Sequence, residues 1–178
     1  NSVFINYVPT GWLLQNGRIL DIDINGDGTN DAILTLIEDE RQQKGDISNP
    51  IIDERALLVL LGDKDGKYRR LSLAKNVLLC GSCAGMRTSS DDVEPGGILY
   101  SNNILTIDWF VAPGDSVLVK LHFGFDKKLK QFVLLSDEVE KMYRYTGKST
   151  ITRRDFVVGI KNVDGKVSAI DKQAIPME

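Results

Sequence analysis

Short apolar runs separated by glycine, asparagine and aspartate follow one another along this chain at intervals of roughly ten residues. The clearest alternation of apolar and polar positions lies in residues 117–125, where valine, leucine or phenylalanine occupies every second position. Residues 105–111 show the same alternation. Because successive side chains of a strand point to opposite faces of its sheet, this pattern predicts two strands that each bury one face.

Other apolar runs are continuous rather than alternating. Residues 32–37 and 56–61 are each long enough for a strand, and the second run is typical of a strand covered on both faces. Its leucine content leaves a helix open as the alternative. An Asp-Gly pair, Asp65 and Gly66, follows that run and predicts a hairpin turn. Residues 131–135 are a further predicted strand, and residues 156–160 with residues 163–167 are predicted to form a closing hairpin.

One short segment, residues 136–143, has helical character. The spacing of the predicted strands favours an all-β antiparallel meander, arranged as a sandwich or propeller-like, with this one short helix. Two polar, charge-rich stretches, residues 38–54 and 87–97, are predicted to be long exposed loops. Neither has the composition of an extended linker, so residues 1–178 are predicted to form a single domain.

Composition and charge exclude several classes of function. Of the 178 residues, 42% are hydrophobic and 26% charged, ordinary values for a globular protein, and no apolar run approaches the ~20 residues of a membrane-spanning helix. With 22 lysines and arginines against 25 aspartates and glutamates, the chain has no basic excess to neutralise phosphates, so no nucleic-acid partner is expected.

Catalytic residue types are sparse as well. The single histidine, His122, excludes a metal site built from several histidines of one chain, and its phase in the alternating strand predicts a surface side chain. No nucleophile, base and orienting group occur together in one sequence pattern, so we expect no enzymatic activity.

The cysteines favour export, and the start of the chain predicts processing or truncation. The chain begins with Asn1 rather than methionine, which predicts a processed or truncated product, with any signal or lipid-anchor segment upstream. Cys80 and Cys83 form a Cys-x-x-Cys pair without the βαβ pattern of a redox motif, so a short structural disulfide is favoured over a redox pair. Two cysteines are too few for a structural zinc site. The predicted location is the periplasm or the cell surface.

An acidic segment, residues 21–31, carries the most specific chemistry in the chain. Side-chain oxygens recur at positions 1, 3, 5 and 9 of a loop counted from Asp23, with a glycine at position 6, as calcium loops require. Because three carboxylates within nine residues repel one another, the segment has a physical reason to hold a cation. The predicted calcium ligands are Asp23, Asn25, Asp27 and Asp31 through their side chains and Thr29 through its backbone carbonyl, with Gly28 providing the turn.

The competing interpretation of this segment is a polar hairpin, built on Asn-Gly and Asp-Gly, that binds no metal. An EF-hand is excluded, because its twelfth position should be a glutamate and is Leu34, and a strand rather than a helix is predicted to follow. A second acidic turn, residues 63–66, lacks further donors and is predicted to be a plain turn. Trp12 and Trp109 are expected to be core residues rather than ligand-stacking platforms.

Several motifs, taken in order, resemble bacterial secreted proteins of the FG-GAP and VCBS type. The motifs are Pro-Thr-Gly-Trp at residues 9–12, the acidic loop followed by a strand, residues 55–61, Asp-Gly-Lys-Tyr at 65–68, residues 78–85 with the cysteine pair, residues 103–107, and Tyr-Thr-Gly-Lys at 145–148. This family includes periplasmic lipoproteins that act as immunity proteins and are similar in fold to inhibitors of invertebrate-type lysozyme.

The resemblance implies a propeller-like calcium-binding protein that plugs the active-site cleft of a peptidoglycan hydrolase with an exposed loop. The corresponding loop is residues 112–118, where Asp115 replaces a glycine of the family pattern and the aromatic residues that usually follow are missing. Gly114, Asp115 and Ser116 are the candidate partner contacts, and an ordinary hairpin turn is the alternative.

These expectations combine into one functional hypothesis and one alternative. The hypothesis is an exported, non-enzymatic, calcium-binding all-β protein that serves as an inhibitor or immunity factor against a lysozyme-like cell-wall hydrolase or another secreted protein. It would meet the membrane only through an upstream lipid anchor. The alternative is a glycan- or peptidoglycan-binding surface lipoprotein in which calcium is only structural.

Overall fold

A computed structural model describes residues 3–39, 54–80, 97–112 and 114–177, except for the side chains of residues 16–18. The described chain is all-β, with antiparallel strands and one 3-10 turn at Ile5–Tyr7, which confirms the predicted fold class. It divides into two compact units, residues 1–83 and 84–177, so the single-domain assignment stays a prediction. No helix in the described ranges is long and apolar enough to cross a bilayer.

The first unit is a four-stranded meander in which each strand pairs with the next along the chain. Its strands are β1 (Trp12–Ile22), β2 (Asp31–Glu38), β3 (Arg55–Gly62) and β4 (Tyr68–Ala74). The two central strands are buried along most of their length, and Leu34 of β2 pairs with Leu58 of β3. Burial on both faces explains why these apolar runs are continuous, and it settles residues 56–61 as a strand rather than a helix.

One hydrophobic cluster of this unit lies on one face of the meander. It consists of the buried side chains Phe4, Ala32, Leu34, Leu36, Ala56, Leu58 and Leu60. Trp12 packs against this cluster, as expected of a core residue, and Lys75 Nζ lies 5.5 Å from the centre of its ring. Burial of the large side chains is worth about 1.5–3 kcal/mol each, so this cluster contributes to the stability of the unit.

The second unit is a larger sheet with the same up-and-down connectivity. Its strands are β5 (Ile98–Ser101), β6 (Ile104–Val111), β7 (Ser116–Asp126), β8 (Gln131–Met142), β9 (Ser149–Asp155), β10 (Ile160–Val163), β11 (Lys166–Ala169) and β12 (Ile175–Pro176). Strands β5 to β11 are neighbours in chain order, and β12 pairs with β8. The predicted meander and the strands at residues 105–111, 117–125 and 131–135 are therefore confirmed.

The alternating residues of β6 and β7 fall on two different faces of this sheet. Leu105 and Ile107 are fully buried, and Phe123, which pairs with Leu105, is 3% exposed. His122 lies on the opposite face, where its Nδ1 is 3.1 Å from the hydroxyl of its cross-strand neighbour Thr106. The predicted outward phase of His122 is thus confirmed.

The helix predicted at residues 136–143 is wrong, because these residues form the second half of β8 and the start of the turn that follows. The strand pairs with β7 on one side and β9 on the other, which satisfies its backbone groups without a helix. Strand alternation was hidden in the sequence because a charged residue, Asp137, occupies a buried position. Its carboxylate accepts hydrogen bonds from Arg154, one of them at 2.9 Å from Nε.

The closing hairpin was predicted with one wrong boundary. Residues 156–159 form a turn rather than a strand, and β10 begins at Ile160. The turn is stabilised by Asp155, whose Oδ1 accepts the backbone N–H groups of Val157 (3.0 Å) and Val158 (2.8 Å). A closing hairpin is present, and it turns at Asp164 and Gly165 between β10 and β11.

The two long loops fall largely outside the described residues, which omit 40–53 and 81–96. Cys83 also lies outside them, and its predicted partner Cys80 is buried after β4. The disulfide therefore stays a prediction.

Candidate functional site

The acidic loop connects β1 to β2, and most of its residues are polar. Its path requires left-handed backbone at Gly26 (φ +78°) and Gly28 (φ +81°). A Cβ added at Gly28 would have no atom within 4 Å, so this glycine is needed for its backbone conformation and not for space. The turn that the sequence assigns to Gly28 is therefore present.

The carboxylate of Asp23 lies at the centre of the loop. Its Oδ1 accepts the N–H groups of Gly26 (2.7 Å) and Asp27 (3.1 Å), and its Oδ2 accepts that of Gly28 (2.9 Å). Three amide donors directed at one carboxylate hold the loop in a single conformation around a negative charge.

Asp27 organises the exposed tip of the loop. Its Oδ1 accepts the N–H group of Thr29 at 2.8 Å and also the Thr29 hydroxyl. The side chain of Asn25 reaches it from the other side, with Nδ2 donating to Asp27 Oδ2 at 2.8 Å. The Thr29 hydroxyl, followed by the Asn25 amide and the Thr29 N–H, lowers the pKa of Asp27. The tip therefore keeps its charge in moderately acidic solution.

Asp31 anchors the loop to the sheet. It is 1% exposed, and its two oxygens accept the N–H groups of Ile24 (Oδ2, 2.7 Å) and Gly62 (Oδ1, 2.9 Å). Burial raises the pKa of Asp31 in spite of these hydrogen bonds, and the nearby charges of Asp27 and Asp23 raise it further. The three carboxylates are therefore close enough to repel one another.

The end of β3 forms hydrogen bonds with the acidic loop. Thr29 Oγ1 donates to the carbonyl of Gly62 at 3.1 Å, in addition to the Gly62–Asp31 hydrogen bond. A Cβ on Gly62 would lie 2.1 Å from the Asn30 carbonyl oxygen, so only glycine permits this approach.

A depression of about 550 Å³ opens beside Gly62, lined by residues of the loop, by Tyr68 and by Lys64 and Lys67 of the β3–β4 turn. Sequence reasoning missed this site, because the turns that form it are far apart in the chain.

The predicted metal ligands share this loop but do not converge as a set. Side-chain oxygens of Asp23, Asn25, Asp27 and Asp31 all accept backbone N–H groups. Among the residues that the structure describes, no group of three or more His, Cys, Asp or Glu side chains is arranged to hold a metal ion. The donors fit calcium in chemistry, since all are oxygens and each carboxylate oxygen has a second lone pair. Calcium binding stays a prediction.

The loop that carries the predicted partner contacts is a short turn between β6 and β7. Asp115 Oδ1 accepts the backbone N–H of Arg144 at 3.2 Å, and its Oδ2 lies 3.6 Å from Lys141 Nζ. Ser116 begins β7 and pairs with Met142. Gly114 is exposed, whereas residue 113 lies outside the described ranges. The Asp115 carboxylate thus ties this turn to the β8–β9 turn.

The chain was also compared with known proteins. No protein-family model, curated protein or solved structure matches it. The likeness to FG-GAP-type proteins therefore rests on the sequence motifs alone.

Proposed function

We propose that this protein is an exported, non-enzymatic binding protein whose first unit is stabilised by a calcium ion at the acidic loop. The supporting observation is the burial of Asp31, which raises its pKa beside the charges of Asp27 and Asp23. A cation that accepts these oxygens would relieve both the repulsion and the burial cost of the charged form. The ligands would be the side chains of Asp23, Asn25, Asp27 and Asp31 and the carbonyl of Thr29.

The proposed partner is a cell-wall hydrolase of the lysozyme type, which the protein inhibits. This step rests on the resemblance and on the net charge of -3, because many enzymes of this type are basic and opposite charge speeds encounter. The contact loop is Gly114, Asp115 and Ser116. The Asp115 carboxylate is exposed beside Lys141, and it could exchange that pairing for a cationic group of a partner.

A specific observation favours the alternative, a glycan-binding surface lipoprotein. Tyr145, in the turn after β8, is 96% exposed, and Tyr143 of the same turn is also exposed. The Asp115–Arg144 hydrogen bond places the candidate contact loop beside these rings. Exposed tyrosines combine a flat apolar face with a polar tip, which suits a sugar surface as well as a protein surface.

One experiment separates the two proposals. The full chain is tested for inhibition of a panel of purified lysozyme-type hydrolases and, separately, for cosedimentation with purified peptidoglycan. The inhibitor proposal predicts inhibition that is lost when Gly114, Asp115 and Ser116 are all changed to alanine and retained in Leu129→Ala, an exposed control in another turn. Cosedimentation that Tyr145→Ala abolishes, without inhibition of any hydrolase, would support the alternative and contradict the inhibitor proposal.

The proposal includes a disulfide between the two cysteines and an oxidising location for the protein. We take Cys80 and Cys83 to be joined in the oxidising compartment to which the protein is exported. The mass of the intact protein would then rise by two hydrogens on reduction, and two free thiols in protein purified from the periplasm would contradict it.

A further inference from the structure

The second sheet has another face, half-buried over its central strands and exposed toward its margins, opposite to the one that buries Leu105, Ile107 and Phe123. We call it the outer face. A row of four charged residues crosses it, one from each of four adjacent strands: Asp108 (β6), Lys120 (β7), Glu138 (β8) and Arg153 (β9). Each is the direct cross-strand partner of the next, and directly paired residues project to the same face. Glu138 and Arg153 form an ion pair.

The signs in this row alternate, as negative, positive, negative and positive. Reversing such a row turns every negative position into a positive one. Self-complementarity of this kind is what a two-fold contact between identical surfaces requires. A row with like charges at corresponding positions would instead repel a second copy.

The geometry points to a symmetric homodimer that forms through the outer face. A two-fold axis in the interface, parallel to the strands and between β7 and β8, exchanges β7 with β8 and β6 with β9. Lys120 then faces the partner's Glu138, and Asp108 faces the partner's Arg153. Stacked sheets lie about 10 Å apart, a gap that these side chains can bridge from both sides.

The neighbouring row on the same face is also self-complementary. It runs Leu99, Thr106, His122, Ser136, Asp155 and Ile160 across six strands. The same axis places Leu99, which is 61% exposed, against the partner's Ile160, which is 39% exposed. It also brings His122 opposite the partner's Ser136 and Thr106 opposite the partner's Asp155. Apolar side chains thus meet apolar ones, and polar side chains meet hydrogen-bonding partners.

The row on the other side supplies further apolar contact. This row crosses strands β6 to β9 and consists of Phe110, Leu118, Glu140 and Ile151. The side chain of Phe110 is 52% exposed. Under the axis, Phe110 faces the partner's Ile151, and Leu118 faces the aliphatic stem of the partner's Glu140. Burial of these apolar groups provides affinity, whereas the charged row sets the register, since partly desolvated ion pairs gain little net energy.

The test uses single charge reversals on the full chain, followed by analytical ultracentrifugation over a range of protein concentrations. Lys120→Glu puts a glutamate opposite the partner's Glu138. Glu138→Lys puts a lysine opposite the partner's Lys120. Each variant alone should raise the dimer dissociation constant at least about tenfold. An equimolar mixture of the two should restore a dimer, because all four facing pairs then have opposite signs.

The control variant is Lys127→Glu, which makes the same charge change in the exposed β7–β8 turn. It should leave the dimer intact. A wild-type chain that stays monomeric up to millimolar concentration would overturn the inference. So would a dimer that withstands both reversals, or a mixture that fails to reassociate. If the reversals prevent folding, Phe110→Ser replaces them, and a dimer as tight as that of the wild type would then count against the proposed face.

Discussion

The backbone N–H of Gly62 donates a 2.9 Å hydrogen bond to Asp31 Oδ1, and this contact joins the end of β3 to the start of β2. Asp31 is buried, and its other oxygen accepts the N–H of Ile24 on the acidic loop. One side chain therefore fixes both the loop and the strand that supports it. The shape of the candidate site depends on this junction.

Substitution of Gly62 tests the junction. Gly62→Ala would place its Cβ 2.1 Å from the Asn30 carbonyl oxygen, and backbone must move to relieve the clash. We expect a loss of about 1–3 kcal/mol in the free energy of unfolding, the usual cost of overpacking. Urea denaturation provides the measurement.

Gly66→Ala is the matched control, since Gly66 lies in the next turn and has open space around it. Its φ of +74° still makes alanine unfavourable, by roughly 1 kcal/mol. A smaller loss at Gly62 than at Gly66 would show that the close approach of Asn30 is not tight.

The buried carboxylate of Asp137 depends on Arg154. The hydrogen bond to Asp137 raises the pKa of Arg154, which stays charged, and Arg154→Met would leave the buried carboxylate without this cation. We expect destabilisation of about 2–4 kcal/mol, toward the low end because the Arg154 side chain is 42% exposed and screened by solvent. Urea denaturation again measures the effect.

Lys141→Met serves as the control for this pair. Lys141 is 3.6 Å from Asp115, and both side chains are exposed, so its loss should cost less than about 1 kcal/mol. Equal losses in the two variants would mean that burial of Asp137 does not govern the strength of its ion pair.

The turn between β7 and β8 should contribute to stability in a pH-dependent way. The N–H groups of Leu129 and Lys128 lower the pKa of Asp126 below its ordinary value. Because the folded-state pKa is depressed, the stabilisation is fully present above the unfolded pKa of about 3.9 and is lost as the pH falls through the folded pKa.

Asp126→Asn should therefore destabilise the protein at neutral pH, and the difference from the wild type should shrink below about pH 4. Denaturant unfolding at a series of pH values checks this, with the exposed Asp171→Asn as the charge-matched control. A difference that grew with acidity would contradict the assigned role of Asp126.

The sequence predicts this fold best where one physical term dominates. The run at residues 117–125 becomes strand β7 because its alternation of apolar and polar positions fits only a strand. Strand β1, which was not predicted, carries register irregularities between Leu14 and Arg18 and again before Ile22, and these break its alternation. Strand β9 was also not predicted, because Arg153 and Arg154 place charge on both of its faces.

The candidate site shows the same division. The turn at Gly28 and the hydrogen bonds of Asp23 join residues close in the chain, so they can be predicted from the spacing of the acidic segment. The Asp31–Gly62 hydrogen bond and the depression beside it join residues about thirty positions apart, and only the pairing of β2 with β3 brings them together. Single-sequence patterns do not contain that pairing.

Calcium-dependent stability tests the central claim most directly. Thermal unfolding of the full chain is followed in millimolar calcium and in chelator, for the wild type, Asp27→Ala and the control Asp65→Ala in the β3–β4 turn. At a hundredfold excess over a dissociation constant, calcium should stabilise the folded state by about 2.7 kcal/mol. The account predicts a higher melting temperature in calcium for the wild type and Asp65→Ala, and no difference for Asp27→Ala. Identical melting temperatures of the wild type in calcium and in chelator would contradict it.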